Sequence, residues 1–413
     1  MESNVIELFL ALGIIIAAAQ LAGAAARALS QPRVFGELIA GVVLGPTVLN
    51  FLDWSIFHDP EMLHHTITEL AELGVLFLMF TVGLEVHLGE LLSVRKVAVW
   101  GGVLGAVLPI LLGAPIILLY DYSTEAAIFV GVTVAATSVS ISAQTLLELG
   151  VLRTKEGLGL LATAVVDDVL AILLLSITVA TLGTGESAGA LDLLWIFVRM
   201  MLFIVIGMGI AWTLLPRLLN RIHRSRNLAT GTAAFALIAA LIFGWAADAL
   251  GGIAAITGAF MAGMGLSQTT ESTKHVIEEA VQNISYSFLV PIFFVNVGLI
   301  VDLTELGTHL LPLTGLLLVS SIISKVLGSG VGARIGGFTT AESFRLGVCM
   351  ISRGEVGLII ASVGLSSGFL NEELFQPVFV VILLTTVLTP PLVRLVFRER
   401  TQQPRQKLSS EQA

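Results

Sequence analysis

The chain reads as an all-α polytopic membrane protein with about thirteen spanning helices, each near the roughly 20 apolar residues that a bilayer requires. Four observations predict this. The sequence is 56% hydrophobic and 12% charged, about half the charged share of a soluble domain. Its mean hydropathy is +0.95. Apolar runs of spanning length recur from residue 5 to residue 396, separated by turn-forming residues. Lys and Arg outside those runs fall in alternate loops only.

The predicted spans are 5–26, 34–51, 66–84, 97–119, 125–148, 157–182, 193–216, 228–247, 251–267, 282–300, 309–333, 343–368 and 374–396. The chain's start carries Glu2 and Glu7 rather than a basic region, so no cleavable leader is expected. Turns are expected at Gln31-Pro32, Asp53 to Pro60, Gly183 to Ser187, Gly251-Gly252 and Gly336-Gly337. The one cysteine, Cys349, excludes an internal disulfide framework.

Charge then orients the chain. Arg27, Arg33, Arg95, Lys96, Arg153, Lys155, Arg217, Arg221, Arg224, Arg226, Lys274, Arg334 and Arg345 all fall on one side, with the C-terminal cluster from Arg394 to Lys407. The opposite loops carry Asp53, Asp59, Glu61, Asp121, Glu125, Glu186, Asp192, Asp248, Asp302, Glu305, Glu372 and Glu373, and no Lys or Arg. The positive-inside rule places the N-terminus outside and the C-terminus in the cytoplasm. Residues 1–396 read as one transmembrane unit and 397–413 as a short, polar, unstructured cytoplasmic tail.

Chemistry concentrates in few places. Asp167 and Asp168 stand side by side in the sixth span, where an aspartate costs roughly 2.5–3.5 kcal/mol on insertion scales. Two adjacent carboxylates repel unless one is protonated or both find cations. They lie about 100° apart around a helix, so they cannot face one partner equally. Lys325, central in the eleventh span, is the natural partner of one of them. Two readings fit this set: an ion or proton site, or a purely structural salt bridge.

The fifth span carries Thr133, Thr137, Ser138, Ser140 and Ser142 within ten residues, a poor helix centre. Either small residues pack helices closely here, or the helix breaks and offers backbone oxygens to a cation. The twelfth span has a matching interruption at Ser352-Arg353-Gly354-Glu355. Spans four to six and eleven to thirteen form two triplets with the interrupted span in the middle of each. Their offset of seven spans gives them opposite orientations, an inverted repeat by topology. Arg353 and Glu355 could neutralise the helix ends freed by the break, and Arg199 could snorkel to an interface.

Enzyme readings fail on arrangement. An intramembrane aspartyl protease needs its carboxylates on different helices. The histidines, such as His58, His64, His65 and His223, show no metal-ligand spacing. No phosphate-cradling glycine loop is present. No cofactor and no nucleic-acid partner are expected.

The chain resembles the bacterial monovalent cation/proton antiporters, in the branch with two adjacent aspartates on a core helix. The matching stretches are Gly36 to Gly41 with Leu44-Gly45-Pro46, Gly83-Leu84-Glu85, Ala136-Thr137-Ser138, Val166 to Leu170, Phe293 to Leu299, Lys325 to Gly328 and Ser352 to Gly357. Their order and spacing span residues 5–396. The resemblance implies a homodimer in the cytoplasmic membrane, with two broken helices crossing at the centre of each protomer. Core helices would lie at about 97–182 and 309–396, dimerisation or scaffold helices at about 5–84 and 228–300, and a linker helix at about 193–216. It further implies that Asp168 binds the transported Na⁺ or proton, that Asp167 pairs with Lys325, and that Thr137 helps bind the ion. Ser138, Ser140, Arg353 and Glu355 would line the crossing. A glutamine in place of the first aspartate marks related potassium efflux systems, and an asparagine marks electroneutral exchangers. The Asp167-Asp168 pair resembles the electrogenic branch. The expected activity is exchange of Na⁺, or Li⁺ or K⁺, for H⁺; a potassium efflux protein or cation channel of the same fold is the alternative.

Overall fold

The structure is a computed structural model that describes residues 2–182, 190–223, 231–300, 302, 304 and 306–411, with the side chains of 2–4, 179–182, 190, 222, 223, 271, 272, 355, 366 and 399–411 left aside. The turn at Gly183 to Ser187, Arg224, Arg226, Glu305, and the side chains of Glu355, Arg400, Arg405 and Lys407 lie outside the described residues. Among those described, every regular element is helical. Ten helices among the described residues are long and apolar enough to cross a membrane.

The chain divides into two compact units. One comprises Met1–Ala22, Glu37–Leu92 and Ala190–Ile300. It contains most of α1 (Glu2–Ala28) and α2 (Arg33–Leu44), then α3 (Pro60–Leu84), α4 (Leu88–Ser93), α9 (Ala190–His223), α10 (Gly231–Ala246), α11 (Ala255–Leu266), α12 (Glu271–Ile284) and α13 (Val290–Leu299). Glycines let backbones approach here, as close packing between membrane helices requires. A Cβ at Gly83 would strike the Phe260 carbonyl and one at Gly263 the Phe80 carbonyl, which locks α3 to α11. Gly41 and Gly298 do the same for α2 and α13, against Val295 and Leu38.

Arg199, on α9, does not snorkel alone. It donates to the Ala249 carbonyl at 2.7 Å and the Leu250 carbonyl at 2.6 Å, in the π-turn that ends α10. Helix-end carbonyls carry partial negative charge, so a guanidinium there is stabilising.

The other unit comprises Gly23–Gly36, Ser93–Gly189 and Val301–Ala413. Its helices are α5 (Arg95–Leu119), α6 (Thr124–Ala135), α7 (Val139–Glu148), α8 (Lys155–Leu182), α14 (Leu311–Ile335), α15 (Thr340–Cys349), α16 (Glu355–Ser366) and α17 (Glu372–Glu411). Here too small residues join the long helices. Gly332 on α14 and Gly336 at its C-cap seat Trp100 and Val97 of α5, and Gly101, Gly102 and Gly105 of α5 face Thr163, Val166 and Ser329. Those α5 glycines therefore pack inside this unit. Ser123 caps α6, and a reciprocal Thr339/Glu342 box caps α15. At the Lys155 end of α8, buried Glu156 meets Arg345 of α15 at 3.2 Å. Arg345 also donates to the Val396 carbonyl of α17 at 3.1 Å.

Two predicted spans prove shorter than sequence suggests, and a third divides at its expected interruption. Residues 34–51 give a 12-residue α2, because Gly45-Pro46 stops it and a 3₁₀ turn follows at Phe51–Asp53. Residues 251–267 give α11, which starts only after Gly252 turns the chain at φ +67°. Residues 343–368 divide into α15 and α16. The expected unstructured tail is corrected: α17 continues to Glu411. Extending an existing helix avoids the nucleation cost.

Candidate functional site

The fifth and twelfth spans both break, and the breaks meet. α6 ends at Ala135 and α7 resumes at Val139; α15 ends at Cys349 and α16 resumes at Glu355. Ala136 and Ser138 are extended, at ψ 141° and 116°. The Ser138 N–H donates to the Ser352 carbonyl at 2.9 Å, joining the two linkers. Gly354 makes the approach possible: a Cβ there would lie 2.7 Å from Ser138 Cβ and 2.8 Å from its Oγ. Gly354→Ala should therefore push the linkers apart. The expected result is a lower thermal midpoint and loss of transport, both read on the purified protein.

Breaking a helix inside a bilayer frees carbonyls that must find donors. Arg353 supplies three. Fully buried, it donates through Nε to Val134 at 2.7 Å, through Nη1 to Ile351 at 2.6 Å and through Nη2 to Ser321 of α14 at 2.9 Å. Ser142 Oγ donates to the Cys349 carbonyl at 2.6 Å, and Thr386 Oγ1 of α17 donates to the Arg353 carbonyl. One guanidinium thus ties α6, the second linker and α14 together.

The charged set stands on α8 and α14, and α8 packs against both α6 and α7. Lys325 Nζ donates to Asp167 Oδ1 at 3.1 Å, with the two side chains 0% and 3% exposed. Asp167 Oδ2 has no hydrogen-bond partner among the described residues. Asp168, next along α8, is buried as well. So is Thr137 in the first linker, whose Oγ1 also lacks a partner. Ser138 Oγ faces Ser140 Oγ at 3.0 Å and does not cap α7. The N-termini of α7 and α16 therefore carry no side-chain cap and keep their partial positive charge at the break.

The arrangement has a definite chemistry. Asp167, Asp168, Lys325 and Arg353 sum to zero when all are ionised. A monovalent cation entering among them would leave one uncompensated positive charge in a dry interior, which is costly. Release of one proton would remove that cost. Among the described residues, no three His, Cys, Asp or Glu side chains gather as ligands of a resident metal.

Sequence comparison decides the family. Residues 14–398 match the family described as sodium/hydrogen exchanger, transmembrane. The chain belongs to that family. This exchanger is 36% identical over 391 residues to the Na⁺/H⁺-K⁺ antiporter GerN of Bacillus cereus, covering 95% of this chain and 96% of the relative. It is 33% identical over 384 residues to a Na⁺/H⁺ antiporter of Enterococcus hirae, covering 92% and 96%. Its fold is similar to that of the sodium proton antiporter MjNhaP1 of Methanocaldococcus jannaschii. The TM-score is 0.70 at 16% identity, over 96% of this chain and 98% of that one.

Sequence reasoning on this exchanger missed the donors that serve the break. Ser142 and Thr386 donate at the linkers, and the Ser321 carbonyl accepts from Arg353, yet only Ser142 sat in a stretch already marked. The run Thr385-Thr386 with Thr389 in an otherwise apolar span was the available signal.

Proposed function

We propose that this exchanger is a secondary active antiporter of the cytoplasmic membrane that trades Na⁺ for H⁺, with Li⁺ or K⁺ as further candidates. The observation that carries the reading is the buried Lys325–Asp167 pair beside Asp168 in a unit whose broken helices meet. Asp168 binds either a proton or the cation, with oxygen from Thr137. Cation entry weakens the Lys325–Asp167 bond, Lys325 loses its proton, and reprotonation resets the pair. Two carboxylates and a lysine allow more than one proton to leave per cation, so the exchange is electrogenic. K⁺ stays on the list because GerN is named for both Na⁺ and K⁺.

The remaining elements follow the same reading. Thirteen crossings result when α2, α11 and the α15–α16 pair are each counted as one, with the N-terminus outside and the C-terminus inside, as the loop charges favour. The α5–α8 and α14–α17 unit serves as the moving core, and the other unit as scaffold and homodimer contact. Alternating access then exposes Asp168 to each side in turn.

The test is proton flux in liposomes holding only this protein, acidic inside, with Na⁺, Li⁺ or K⁺ added outside. A rise of internal pH that a valinomycin clamp alters supports electrogenic antiport and names the ion. Cation movement without a pH change would replace it with a channel.

A further inference from the structure

Buried hydroxyls in the α5–α8/α14–α17 unit divide into two kinds. Most bond a carbonyl one turn back in their own helix, as membrane helices commonly do. Thr133 reaches Phe129 at 2.9 Å, Thr145 reaches Ile141 at 2.8 Å, Thr314 reaches Leu310 at 2.9 Å and Thr389 reaches Thr385 at 2.6 Å. Six have no partner among the described residues: Thr137, Ser321 and Ser352 lie at the helix crossing, and Thr163, Ser329 and Ser343 lie away from it. Each is 5% exposed or less. Buried polar atoms left without protein partners are where internal water is held.

The placement of the last three is not scattered. Thr163 lies one turn from Asp167 on α8, and Ser329 lies one turn from Lys325 on α14, both toward the end marked by Lys155 and Arg334. Glycines of α5 leave room for both. A Cβ at Gly101 would stand 3.3 Å from Thr163 Oγ1 and 3.7 Å from the Ser329 carbonyl, and a Cβ at Gly105 would fall on Ser329 Oγ. Gly330 brings α15 in, since its Cβ would meet the Ser343 carbonyl at 3.2 Å. Beyond Ser343 stand Arg345 and fully buried Glu156, which lies on the same stripe of α8 as Thr163 and Asp167.

We propose that Thr163, Ser329 and Ser343 hold a file of buried waters that carries protons between the Lys325–Asp167 pair and the Glu156–Arg345 end of the unit, apart from the helix crossing that receives the cation. The proposal rests on the antiport reading above. The Lys325 ammonium gives its proton to the first water, each water passes one on, and the last releases it to bulk solvent. Lysine is left neutral and is reprotonated from the opposite side of the membrane after the core moves, so the file serves one half of the cycle. Hydroxyls suit this file because each both donates and accepts without adding charge.

The test uses Thr163→Val and Ser329→Ala in the full-length protein in liposomes, with Thr163→Ser as the conservative control. Each removed hydroxyl is expected to lower cation-driven proton flux about tenfold, equivalent to about 1.4 kcal/mol of barrier. The half-saturating Na⁺ concentration should stay unchanged, and Thr163→Ser should keep the flux. Unchanged flux in both variants overturns the file. So does a raised thermal midpoint, since deleting a dry, unpaired hydroxyl is neutral or stabilising whereas deleting a water-bound one is not. The thermal readout is independent of transport. A wild-type protein without cation-driven flux would instead remove the antiport reading, and the proton file with it.

Discussion

Asp168→Asn is expected to yield a folded protein that exchanges nothing at any pH. The substitution keeps shape and, on the proposed reading, removes both the charge that would hold a cation and the group that would take a proton. Asp168 is buried on a helix packed against both halves of the first broken span, so no surface carboxylate can stand in for it. Folding should survive, because a neutral amide costs less in the membrane interior than a carboxylate. The checks are a monodisperse elution profile, an unchanged or raised thermal midpoint, and flat proton flux from acid to alkaline pH. Any retained exchange contradicts the assignment.

Lys325→Ala separates two roles that one side chain could fill. Removing one member of a buried pair strands the other, at a cost of about 3–5 kcal/mol. Asp167 already has one oxygen without a hydrogen-bond partner among the described residues, so its carboxyl group would then be left without any counter-charge. The expected result is a lowered thermal midpoint and slower exchange that no longer responds to membrane potential. The Lys325→Ala/Asp167→Asn double variant should recover most of the stability, because removing both charges abolishes the mismatch. It should remain electroneutral. Unchanged potential dependence in Lys325→Ala would make the lysine structural only.

What could be read from the sequence depended on how far each signal was local. The breaks were legible, since hydroxyl-rich Thr133 to Ser142 and glycine beside arginine at Arg353-Gly354 both disfavour continuous helix. The charged trio was legible because aspartate and lysine are costly inside apolar runs. Residues alone left open which aspartate meets Lys325. That depends on the rotation of α8 about its axis, which glycine contacts with α5 set, and the structure brings Asp167 to 3.1 Å. Arg353 illustrates the limit. Its three acceptors are backbone carbonyls on three separate segments, and carbonyls leave no mark on composition. The orientation of Thr163 and Ser329 was equally hidden, because a hydroxyl bonded to its own helix and one turned away are the same letter.

The claim that proton and cation compete for one buried site is tested most directly by cation binding as a function of pH. The half-saturating Na⁺ concentration would be measured on the purified protein by calorimetry across the acid range. If one proton leaves as Na⁺ enters, that concentration rises about tenfold for each unit the pH falls, and more steeply if Lys325 also gives up a proton. A half-saturating concentration that does not change with pH would contradict the account.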